Sequence, residues 1–204
     1  MVNTDSDKLL QIIEAARKRF AHFGLAKTTM TEIASDIGMS KASLYYYFPD
    51  KDHLFHAVVE REMNTFLDQM NTTVDGPGNA SDKLWQFMTE RLASFKELLN
   101  LVKLEDANYD SLKPKSSTLW EDFQKREIKL IEKILTLGVT NKEFTIENIP
   151  LSSEVFVSVT RGLRLITIKQ CGSFMLNEEA YANLRTHQEH FTQIFLKGIQ
   201  RTKN

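Results

Sequence analysis

Apolar residues near the start of the chain recur at helical steps. Leu9, Ile12, Ile13, Ala16 and Phe20 fall three and four positions apart, which aligns them along one face of an α-helix. Gly24 follows where that helix is expected to stop, because glycine takes the left-handed backbone of a helix end without steric cost. Thr29-Met30-Thr31-Glu32 has the form of a capping box. The Thr29 hydroxyl and the Glu32 carboxylate each satisfy an amide left open at the start of a second helix. That helix ends by Ile37, Gly38 permits a tight turn, Met39 can pack inward, and Ser40 can cap a third helix through Tyr47. The pattern predicts helix, tight turn, helix.

Helices this short do not hold themselves together in water, so Ile33, Ala34, Ile37, Met39 and Leu44 are expected to pack on the stripe of the first helix. The third helix then presents Lys41, Ala42, Ser43, Tyr45, Tyr46 and Tyr47 outward. One charge, small side chains and phenols able to reach phosphate suit a nucleic-acid groove. Successive helical residues point about 100° apart, so at least one of the three tyrosines must be exposed. Asp50 is placed to cap a fourth helix with Lys51 in its first turn. A cation is disfavoured at the positive end of a helix, so a phosphate beside Lys51 is the expected reason for it, with a solvated surface lysine as the alternative.

Phe55, Val58, Val59, Phe66, Leu67 and Met70 continue the fourth helix until the run Asp75-Gly76-Pro77-Gly78-Asn79 ends it. Further helices are expected at 81–102, 116–137, 151–171 and 177–201, with loops at 108–115 and 138–150. No strand alternation competes, so the fold class is all-α: a three-helix DNA-binding unit over 1–51 and a helical unit over 52–204. Trp85, Met88, Leu92, Phe95 and Leu99 line one helix, and Trp120, Phe123, Ile131 and Ile134 line the next. Such stripes form core or wall an apolar cavity between helices.

Glu127 projects into the middle of the second stripe, and a buried carboxylate requires a partner. Arg91, Arg161 and Arg164 are the available cations. Two readings stand: a structural ion pair, or the polar anchors of an effector pocket lined by Trp85, Met88, Arg91, Leu92, Phe95, Trp120, Phe123, Glu127, Arg161 and Arg164. The helix at 151–171 is apolar almost all round, which suggests a face between two chains. Val155, Val159, Gly162 and Ile166, with Leu184, Phe191, Ile194 and Phe195 of the last helix, are its expected members, and Ser158, Gly162 and Gly198 permit close approach.

Composition changes this picture little. The chain has 204 residues, 42% of them hydrophobic, enough for a sizeable core. Its net charge of -1 lends no bulk support to nucleic-acid binding. Residues 1–56 are also balanced, with seven basic side chains (Lys8, Arg17, Lys18, Arg19, Lys27, Lys41, Lys51) against seven acidic ones (Asp5, Asp7, Glu14, Glu32, Asp36, Asp50, Asp52). Placement must therefore do what net charge does not. No apolar run approaches membrane-spanning length, and Met1 to Leu10 lacks the order of a secretory signal, so a cytoplasmic protein without a membrane partner is expected. The lone Cys171 cannot form an internal disulfide. His187 lies towards the apolar stripe and His190 towards solvent, which does not make a metal site. No metal, no cofactor and no enzyme activity are expected, since no phosphate-cradling glycine loop, zinc-protease motif or nucleophile elbow is present.

Ile13-Glu14-Ala15-Ala16, Phe20, Gly24, Thr28-Thr29, Ile33-Ala34, Gly38-Met39-Ser40, Leu44-Tyr45-Tyr46-Tyr47-Phe48 and Lys51 together closely resemble the TetR family of bacterial repressors, over roughly the first quarter of the chain. The resemblance implies that Thr31, Lys41, Ala42, Ser43 and Tyr45 face the DNA major groove and that Tyr47 and Lys51 grip phosphates. Thr29 looks like the family's cap and backbone contact, and Tyr46 has an equivalent that either contacts or packs. It also implies a homodimer, built on a two-fold four-helix interface, and release from a palindromic operator on double-stranded DNA by a small-molecule effector, here unidentified. An activator, a co-repressor-dependent regulator, or a DNA-binding dimer with no effector fits the same residues.

Overall fold

The computed structural model describes residues 4–102, 118–171 and 176–201. Among these residues it holds eight helices: α1 (Thr4–Phe23), α2 (Met30–Asp36), α3 (Lys41–Tyr47), α4 (Lys51–Asp75), α5 (Ala80–Val102), α6 (Thr118–Thr140), α7 (Ile149–Cys171) and α8 (Glu178–Ile199). The loop expected at 108–115 lies outside the described residues. The loop expected at 138–150 is shorter. Gly138 is a buried residue inside α6 and not its end, and α7 begins at Ile149 with Pro150 in its first turn, where a missing N–H costs nothing.

The α1 stripe is buried at Ile12, Ile13, Ala16 and Phe20, but Leu9 is exposed. Every side chain from Asp5 to Leu10 is exposed, so the first turns of α1 reach past the core and Leu9, at 37% exposure, lies at its edge. Ile33, Ala34 and Leu44 are buried, while Ile37 and Met39 are half-buried against the same cluster. Phe20 meets Phe55 of α4 edge to face, with centroids 5.6 Å apart.

One apolar cluster runs without interruption from Ile12 in α1 through Val58, Phe66 and Leu84 to Ile134, Phe156 and Leu196 in α8. A smaller cluster of Leu92, Phe95, Leu99, Ile168 and Leu184 joins α5, α7 and α8. Buried polar side chains accompany these clusters on α5 to α8: Arg91, Glu127, Thr160, Arg164, Gln188 and Thr192.

Two lysines finish the helices that precede them. Lys83, 3% exposed in α5, donates to the carbonyls of Thr73, Val74 and Gly76 at the end of α4. Lys51, in the first turn of α4, does the same for the turn after α1.

Candidate nucleic-acid interface

The outward helix is set by its caps. Thr29 accepts from the Glu32 amide at 3.3 Å, and the Glu32 carboxylate accepts from the Thr29 amide at 2.8 Å, so the expected capping box is formed. Gly38 has φ +62°, where a side chain would be strained, and the Met39 amide turns back to Ala34 O at 2.9 Å. Ser40 then caps α3 by accepting from the Ser43 amide at 3.1 Å. The Arg19 guanidinium grips Asp36 at 2.5 and 2.8 Å and reaches Glu32 at 3.3 Å, which ties α2 to α1. Its hydrogen bonds hold the Asp36 carboxyl below its ordinary value.

Leu44 is fully buried and anchors α3. Around it, Thr31, Lys41, Ala42, Ser43, Tyr45 and Tyr46 are exposed, and Tyr46, at 82%, is the barest large hydrophobic side chain among the described residues. The Lys41 ammonium lies 5.7 Å from the centre of the Tyr45 ring, a cation-π distance that leaves its three protons available. Thr29 is exposed but committed to its cap. Tyr47 is half-buried, and its hydroxyl donates to Asp5 Oδ1 at 2.9 Å.

Lys51 departs from expectation. Its ammonium donates to Leu25 O at 2.8 Å, Thr28 O at 3.0 Å and Ala26 O at 3.4 Å. Three protons meet three carbonyls, and none is left for a phosphate. The carbonyls that face the ammonium account for a cation at the positive end of a helix.

Where α1 meets α4, Arg17 holds Glu14 at 2.9 and 3.1 Å and stands 3.8 Å from Glu62. Burial still pushes the Glu62 carboxyl up, because Glu14 takes the guanidinium's hydrogen bonds.

In the C-terminal helices, Glu127 finds Arg91 among the three candidate arginines. Arg91 Nε donates to Glu127 Oε1 at 2.5 Å, and both residues are buried. The Arg91 guanidinium also lies 4.9 Å from the Phe123 ring centre and 5.6 Å from that of Phe66 on α4. Arg161 instead bonds Gln124, and buried Arg164 lies 5.7 Å from the Phe95 ring centre. Met88, Leu92, Phe95 and Phe123 are buried, whereas Trp85 and Trp120 are half-buried at the edges of their stripes. Sequence reasoning missed Gln188. It is fully buried, its Nε2 donates to Thr160 O at 2.9 Å, and its Oε1 meets no donor among the described residues. A glutamine one turn after Leu184 on an apolar face was the available signal.

Val155, Val159, Ile166 and Ile194 are exposed on α7 and α8, and space is open around Gly162. Phe191 and Phe195 are half-buried against Phe156, with centroids 5.5 and 5.0 Å away. Leu184 is a correction: it is fully buried in the smaller cluster and faces its own chain. His187 is exposed, as is Ile194 two turns further along the same side of α8.

A capped helical pair that turns one short helix outward, on a larger all-helical body, defines a helix-turn-helix DNA-binding transcriptional regulator. Residues 12–58 match bacterial regulatory proteins of the tetR family. A solved transcriptional regulator from Cytophaga hutchinsonii is 41% identical, with a TM-score of 0.88 over 95% of this chain and 99% of that one. The chain belongs to the TetR family. The fatty acid metabolism regulator protein of Bacillus subtilis is 23% identical over 67% of this chain and 70% of its own length. Other curated relatives align over 35% and 54% of their own lengths. A transcriptional regulator of Saccharomonospora viridis in complex with choline shares the fold, with a TM-score of 0.69 at 18% identity over 97% of this chain and 100% of that one.

Proposed function

We propose that the chain is a homodimeric repressor that reads a palindromic operator with α3 and is released from it by a small molecule bound among α5 to α8. In this reading Thr31, Lys41, Ala42, Ser43 and Tyr45 meet the major groove, Tyr46 and Tyr47 lie near the backbone, and Thr29 stays a cap. Lys51 is not carried into this role. The exposed apolar face of Val155, Val159, Ile166 and Ile194 pairs with its two-fold copy, and the dimer sets the spacing of two reading helices. Acting on DNA, the protein works in the bacterial cytoplasm.

The observation that carries the effector reading is the Arg91–Glu127 pair against Phe66. Phe66 belongs to α4, whose N-terminal half also packs on the DNA-reading unit through Phe55 and Phe20. A ligand that moves the pair therefore moves α4. A hundredfold loss of DNA affinity requires about 2.7 kcal/mol of preference for the released state.

A thermal-shift screen of small molecules, followed by duplex titration with each stabilising compound, tests this. A compound that raises the midpoint and weakens duplex binding supports release. One that tightens it makes the effector a co-repressor. Stabilisation with no change in duplex binding removes the coupling. For the interface, Ile166→Glu is expected to yield a monomer in light scattering with weakened duplex binding, and a dimer that persists overturns it.

A further inference from the structure

The Tyr47 hydroxyl carries one proton, and two acceptors compete for it once DNA is near. In the free protein it is donated to Asp5 Oδ1 at 2.9 Å, across 42 residues of sequence, from the first turn of α1 to the last turn of α3. The Tyr47 ring is held edge to face against Tyr46, with centroids 5.4 Å apart. Asp5 is exposed, and Asp7 lies in the same helical turn. A phosphate oxygen approaching Tyr47 must take the proton from a carboxylate and also come close to that carboxylate's charge.

We propose that Asp5 restrains DNA binding by holding the Tyr47 hydroxyl proton that a backbone phosphate would otherwise receive. The inference rests on the reading that α3 docks on duplex DNA. Every duplex must break the Asp5–Tyr47 bond to use Tyr47, and only a site that seats α3 fully offsets that loss with base contacts. Asp5 thereby acts as a positioning residue that lowers affinity for random sequence.

The test uses the full chain and a random-sequence duplex, titrated by fluorescence anisotropy at two salt concentrations. Asp7→Ala removes an equal charge from the same turn without freeing the Tyr47 proton, so it measures the charge effect alone. Asp5→Ala is expected to bind about tenfold more tightly than Asp7→Ala, the scale of one hydrogen bond to a charged group. Raising the salt is expected to shrink the charge effect that both variants share and to leave their ratio standing. Asp5→Asn keeps an acceptor and is expected to fall between wild type and Asp5→Ala, which guards against a folding defect in the alanine variant.

In a Tyr47→Phe background the advantage of Asp5→Ala over Asp7→Ala is expected to vanish. Equal binding by Asp5→Ala and Asp7→Ala, or an advantage that survives in Tyr47→Phe, overturns the proposal. Absence of duplex binding by every variant at low salt overturns the docking reading as well, so the two failures are distinguishable.

Discussion

Lys51 Nζ lies 2.8 Å from the carbonyl oxygen of Leu25, in the turn that leaves α1, and 3.0 Å from that of Thr28. The ammonium closes a turn whose carbonyls have no helical partner. Lys51→Ala is expected to lower the thermal midpoint, because those carbonyls lose a charged donor that contributes about 1.5–3 kcal/mol per bond at most. The salt dependence of duplex binding by the folded variant is expected to match wild type. A lost phosphate contact would instead reduce the slope by about one. Circular dichroism melts and titrations at two salt concentrations separate these outcomes.

Arg91 and Glu127 are buried together, so removing one leaves the other's charge uncompensated. Glu127→Ala is expected to cost about 3–5 kcal/mol, measured by urea unfolding. The double variant Arg91→Met with Glu127→Leu is expected to recover most of that loss, since no charge stays buried. A double variant as unstable as the single one would show that packing, not charge, sets the cost.

Gly138 leaves room for a ring. A Cβ at this position would stand 2.1 Å from Cδ2 of Phe144, so Gly138→Ala must displace the aromatic side chain. Overpacking of this kind costs about 1–3 kcal/mol. Phe144→Leu in the alanine background is expected to return part of that stability, which denaturant melts of the two variants would register.

Acid acts on the DNA-reading unit through four carboxylates, of which Glu14 is held below its ordinary value by its hydrogen bonds from Arg17. The Thr29 hydroxyl holds Glu32 below its ordinary value, Arg19 does so for Asp36, and the His53 amide for Asp50. Each binds a proton less readily folded than unfolded, so its contribution is present above the ordinary values of 4.5 and 3.8 and is lost as pH falls below them. Glu62 has the opposite sign. Burial raises it above 4.5, so the folded chain gains stability as this carboxyl takes its proton. Melts between pH 7 and 3 are expected to fall steeply below roughly pH 4. Glu62→Gln is expected to melt higher than wild type at pH 7, and an unchanged midpoint would remove the burial argument.

Local chemistry made the DNA-reading unit legible in the sequence. Thr29, Gly38, Ser40 and Asp50 each act on backbone within a few residues, and all four sit where their side chains or conformations demand. Long-range partners were not legible in this way. Nothing near Lys51 in sequence marks the carbonyls of Leu25 and Thr28, and helical angle alone cannot place Leu9 beyond the end of its neighbours. Glu127 shows the boundary well. Its position in an apolar stripe announced a partner, but the choice of Arg91 over Arg161 and Arg164 depends on how α5 and α7 approach α6.

The apolar cluster from Ile12 to Leu196 is unbroken across residue 51, so the chain is expected to unfold as one cooperative unit. A fragment ending there would expose Phe20 to water where Phe55 now covers it. The reading head is therefore expected to show no melting transition of its own in calorimetry of the full chain. Anything that steadies the C-terminal helices also steadies the surface presented to DNA, and a compound can be found by its effect on the midpoint before its effect on transcription is known.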